Sequence, residues 1–94
     1  MNKIYEAAIN KWGKDAQIKQ AIEELSELIT ALCHADRGRR GHPPDVPVKE
    51  AIADEVADCE IMLEQVKLIF GITRNEIDVI RKVKLARLEA FLLE

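Results

Sequence analysis

Residues 50–66 read EAIADEVADCEIMLEQV. Wound at about 100° per residue, this stretch sets Ile52, Val56, Cys59, Leu63 and Val66 along one stripe, and Glu55 falls inside it with Asp58 at its edge. Apolar residues recurring at three and four predict an amphipathic helix. A carboxylate within such a stripe is costly to bury unless a partner compensates it. Glu55 is therefore both part of the helix signature and a charge that the rest of the chain has to answer.

Outward from this stretch the chain divides at Gly13, at the run RGRRGHPPDVP and at Gly71, where glycine and proline end helices. Four helical segments result. The first, 2–12, carries Ile4, Tyr5, Ala8, Ile9 and Trp12. The second, 15–35, carries a single stripe of Ile18, Ala21, Ile22, Leu25, Leu28, Ile29 and Leu32. The third, 48–70, follows Pro47 and stops before Gly71; the fourth, 74–93, opens on Thr73-x-x-Glu76, the form of a capping box. There is no strand alternation, internal repeat or low-complexity tract. The expectation is one all-α domain over 1–94, a bundle of about four helices with a loop at 36–47.

The composition fits that class. With 94 residues, 48% hydrophobic and 33% charged, and only four glycines and three prolines, the chain has enough apolar content for a core and too little for a large one. The third segment has a second apolar line at Ala57, Ile61 and Leu68, and the fourth at Val79, Ala86, Ala90 and Leu93, beside its main stripe of Ile77, Ile80, Leu88 and Phe91. Two apolar faces on one helix predict a homodimer or homotetramer that covers the second. A net charge of −3 argues against general nucleic-acid binding. Cys33 and Cys59 stand singly, which reads as reduced thiols in a cytoplasmic protein, and no run approaches the roughly 20 apolar residues of a membrane span. The spacing of Cys33, His34, His42 and Cys59 fits no common zinc module.

The charged residues nearest the apolar faces carry the chemistry. Glu24 and Glu27, three apart, share a face beside Leu25, Leu28 and Leu32, and Glu55 and Asp58 repeat that spacing on the third segment. On the fourth, Lys84 lies between the residues of the main stripe and Arg87 at its edge. Exposed faces account for Glu23, Asp54, Glu60 and Glu64, which need only solvent, and two further readings compete for the rest. In one, Lys84 and Arg87 neutralise acids in an internal salt-bridge network. In the other, four carboxylates against two bases call for a cation. All-oxygen ligation specifies a hard ion, Mg²⁺ with Mn²⁺ as a substitute. Lys84 and Arg87 would then meet phosphate oxygens.

The two halves, EELSEL with Glu24-x-x-Glu27 and DEVADCEIML with Glu55-x-x-Asp58, together resemble the signature of the MazG-like all-α nucleoside triphosphate pyrophosphohydrolases, over roughly residues 12–90. The resemblance implies Mg²⁺-dependent hydrolysis of a nucleoside triphosphate, often a deoxynucleotide, to the monophosphate and pyrophosphate, by an oligomer that cleans nucleotide pools. It makes Glu24, Glu27, Glu55 and Asp58 metal ligands and catalytic acids, and places Lys84 and Arg87 more loosely on the substrate. It sets Gln17 and Trp12 near base-contacting positions, although burial statistics favour simple core packing for Trp12. The chain departs from longer relatives in having little beyond the fourth segment. Its RGRRGHPPD loop has no counterpart, and Arg37, Arg39 and Arg40 read as a solvated loop rather than a lid over the triphosphate. The competing expectations are a related pyrophosphohydrolase acting on phosphoribosyl-ATP or a nucleoside diphosphate, and a helical interaction module whose acids bind nothing.

Overall fold

The computed structural model describes residues 2–39 and 48–94, and every element in them is a helix: α1 (Asn2–Trp12), α2 (Lys14–Arg39), α3 (Val48–Phe70) and α4 (Arg74–Leu92). Three of the four helices meet the sequence expectation to within a residue. The second does not, because α2 runs on through Gly38 to Arg39. A glycine inside a helix costs about 1 kcal/mol relative to alanine, which a long helix can absorb. Residues 36–39 are thus helical rather than loop, while Pro47, Arg40 and the rest of the expected loop lie outside the described residues.

Helix boundaries follow from local chemistry. Gly13 (φ +95°) and Gly71 (φ +66°) take the left-handed conformation that side chains resist. Gly13 N–H donates to the carbonyl of Ile9 at 2.8 Å, closing α1. At Gly71 the N–H donates to Leu68 O (3.3 Å) and that of Ile72 to Lys67 O (2.8 Å), the two bonds of a Schellman motif. The capping box at the start of α4 forms as expected: Glu76 N–H donates to Thr73 Oγ1 at 3.1 Å and Thr73 N–H to Glu76 Oε1 at 3.4 Å.

Packing is uneven. Helices α2 and α3 lie along one another, α1 packs against both, and among the described residues α4 packs against no other helix. Gln17 meets Gln65 while Glu24 meets Cys59, so α2 and α3 run antiparallel. The buried apolar residues are Tyr5, Ala21, Ala35, Cys59 and Met62, and none belongs to α4. The expected stripes are covered only in part. On α3 the covered face is rotated from Val56 and Leu63 (44% exposed) toward Glu55, Asp58, Met62 and Gln65. On α2, Ile22 and Ile29 stand well exposed, and on α4 Ile80, Leu88 and Phe91 face outward while Ile77 is half-buried. The reason is that a stripe is buried only where another helix lies over it. Among the described residues α1 is the one helix laid over the α2–α3 pair. No helix among the described residues is long and apolar enough to cross a membrane.

Candidate metal centre

The i, i+3 acids of α2 and α3 project from facing helices near the middle of their contact. One carboxylate oxygen each from Glu24, Glu55 and Asp58 lies within 4.8 Å of the other two, and all three residues are half-buried. Glu55 occupies the centre of the covered face of α3, flanked by Ala51, Ile52, Asp58, Cys59 and Met62. Glu27 is exposed and stands outside this trio, yet its charge acts on Glu24.

Two oxygens make the centre unusual. Glu24 Oε2 and Glu55 Oε2 are buried and have no hydrogen-bond partner. The other Glu24 oxygen accepts from the Gln20 amide at 2.9 Å. Among the described residues no cation pairs with Glu24, Glu27, Glu55 or Asp58; the lysine pair that does form, Lys67 with Glu64 at 2.6 Å, is elsewhere on α3. Among the described residues the internal salt-bridge network therefore does not form, because Lys84 and Arg87 sit on the exposed α4. Burial raises the pKa of Glu24 above the usual carboxylate range. The charges of Glu27 and Asp58 push it the same way, and the Gln20 hydrogen bond offsets part of this. Cys59, buried one residue beyond Asp58, donates its S–H to the Glu24 carbonyl (3.4 Å). Burial first, and then the acids around it, hold its thiol in the neutral form.

Three carboxylates that come together in this way, two of them with a buried oxygen lacking a partner, could hold a hard divalent ion. The trio fits Mg²⁺ or Mn²⁺ better than zinc, because its donors are all oxygen.

The remaining candidates are placed differently. Gln17 is 7% exposed and its amide donates to Gln65 Oε1 at 2.8 Å, so it lies inside the α2–α3 seam. Trp12 is 58% exposed at the end of α1, with the Lys11 ammonium 5.2 Å from its ring centre, and does not pack in the core. Gln65, buried in the seam, and Gln20, exposed but bonded to Glu24, are not among the sequence candidates. Their signal was present in the face shared by Gln17, Gln20 and Glu24, but polar residues beside a stripe read as solvent-facing. A separate cleft of about 680 Å³ at the α3–α4 corner is lined by Lys67, Thr73, Arg74, Asp78 and Arg81 among others, and none of the four acids borders it.

No family model, curated protein or solved structure matches the chain. The candidate centre therefore rests on its own geometry.

Proposed function

We propose that the chain is a Mg²⁺-dependent nucleoside triphosphate pyrophosphohydrolase of the MazG-like type. The observation that carries this reading is the pair of buried, unpartnered oxygens of Glu24 and Glu55, converging with Asp58. Glu24, Glu55 and Asp58 hold the ion, and Glu27 adds negative charge at its solvent side. Bound there, Mg²⁺ supplies charge neutralisation for phosphate oxygens and lowers the pKa of a water aimed at phosphorus. An acid of the site would orient that water and take its proton as the water oxygen bonds to the α-phosphorus and the bond from that phosphorus to the bridging oxygen breaks, the electron pair leaving with the pyrophosphate. Lys84 and Arg87 neutralise the departing pyrophosphate.

Those two cations stand on a helix that packs against no other helix among the described residues, so the reading includes a homodimer or homotetramer. The exposed stripes of α2, α3 and α4 form its interface, as the solvent-exposed Ile29, Val83, Leu88 and Phe91 suggest.

The test is a panel of standard and modified nucleotides with Mg²⁺, scored for pyrophosphate. Release from a triphosphate supports the proposal, whereas orthophosphate from a diphosphate or a phosphoribosyl-AMP product favours the related activity. Glu55→Gln and Asp58→Asn should each lower turnover at least a hundredfold and remove Mg²⁺-dependent stabilisation with helicity unchanged. Full activity in both would sink the site. Silence across the panel, with Glu55→Leu more stable than the parent, is the outcome expected of an interaction module.

A further inference from the structure

The α2–α3 seam contains a second polar layer that the proposed chemistry does not use. Gln17 and Gln65, 7% and 4% exposed, are its two members, and they bond amide to amide at 2.8 Å across the helices. Gln65 also turns its own amide toward Met62 Sδ at 3.7 Å. Gln17 precedes Glu24 by seven residues and Gln65 follows Asp58 by seven, so in an antiparallel pair the amides sit two turns, about 10 Å, from the facing acids. Both layers obey one register.

We propose that Gln17 and Gln65 form a register lock, a positioning pair that holds α2 and α3 at the one offset where Glu24, Glu55 and Asp58 converge. Beyond the weak bond from the Cys59 thiol to the Glu24 carbonyl, the rest of the seam is poor at specifying an offset. Ala21 is small, Met62 is flexible, and the carboxylates repel one another. A slide of one turn would leave small and apolar groups in tolerable contact, yet would set Gln65 against Ala21 or Gly13 and Gln17 against Ile61 or Ile69. Each buried amide would then lack its partner, and stranded buried polar groups are strongly disfavoured. A single polar pair in an apolar helix interface is a known means of fixing register at some loss of stability.

That the lock serves the metal centre rests on the proposed function; that it fixes the register does not, and the experiment separates the two. Spin labels are placed on cysteines at Lys19 and Asp54, which are exposed on α2 and α3, in a Cys33→Ser, Cys59→Ala background diluted with unlabelled chain. The interhelix distance is then compared with and without Gln17→Met plus Gln65→Met, and Mn²⁺ affinity is titrated on the same proteins. The glutamine-containing protein should give one distance. The double variant should add a second, shifted by up to about 5.4 Å for a slide of one turn, and bind Mn²⁺ at least tenfold more weakly while melting no lower. One unshifted distance in the double variant overturns the lock. A shifted distance with unchanged Mn²⁺ affinity overturns its service to the metal. If the glutamine-containing protein binds no Mn²⁺, the metal reading fails and the distance alone decides the register. Should the double variant not fold, Gln17→Asn, too short to reach Gln65, takes its place under the same criteria.

Discussion

Glu24 shows how a single acid responds to its surroundings. Its pKa is raised above 4.5 by burial and then by Glu27 and Asp58, so the folded chain holds a proton there more tightly than the unfolded chain does. Without metal, folding stability should therefore rise as the pH falls through the folded value, the gain being complete below about 4.5. Melting curves in chelator between pH 7 and 4.5 should show this rise relative to Glu24→Gln, which lacks the titration. Parallel curves would mean that Glu24 is not under electrostatic load. The misplaced charge of Glu55 was legible in the sequence because a helical wheel shows it directly. The pairing of Gln17 with Gln65 was not, because a wheel assigns each residue to a face of its own helix and says nothing of the residue across from it.

Helix ends in this chain were readable for a different reason. Gly13, Gly71 and the Thr73–Glu76 box act through backbone conformation and neighbours within a few residues, and all three appear where the sequence put them. Nothing lies within 4 Å of where a side chain at Gly71 would begin, so a substitution there pays only for its positive φ. Gly71→Ala should lower stability by about 1 kcal/mol and Gly71→Asn by less, since asparagine tolerates the left-handed region. Urea unfolding of the two variants measures this, and equal midpoints with the parent would show that the α3–α4 corner relaxes. The end of α2 is not legible locally, because Gly38 signals a stop only when nothing favours continuing, and neither is the covered face of α3, because its direction depends on where α2 lies.

The chain taken entire exposes 7695 Å², against about 5,500 Å² for a folded monomer of 10.7 kDa. Its radius of gyration is 16.8 Å, against about 12 Å for a compact domain of this length. The difference in area, about 2,000 Å², is of the size that obligate interfaces bury on each partner. Light scattering at micromolar concentration should give the mass of a dimer or tetramer, and Phe91→Glu, at a side chain 74% exposed, should shift it toward monomer. A monomer in the unsubstituted protein would overturn the expectation.

The sequence by itself determined what is local: four helices, their caps, and which residue types each helix face carries. Periodicity and capping act over three or four residues, and a chain carries that information without folding. Only the tertiary structure decided which faces are covered, that Glu24, Glu55 and Asp58 converge with no cation paired to them among the described residues, that Gln17 bonds to Gln65, and that α4 with Lys84 and Arg87 stands apart. These depend on the offset and rotation of α2 against α3, which residues 48 positions apart fix together and neither helix encodes alone.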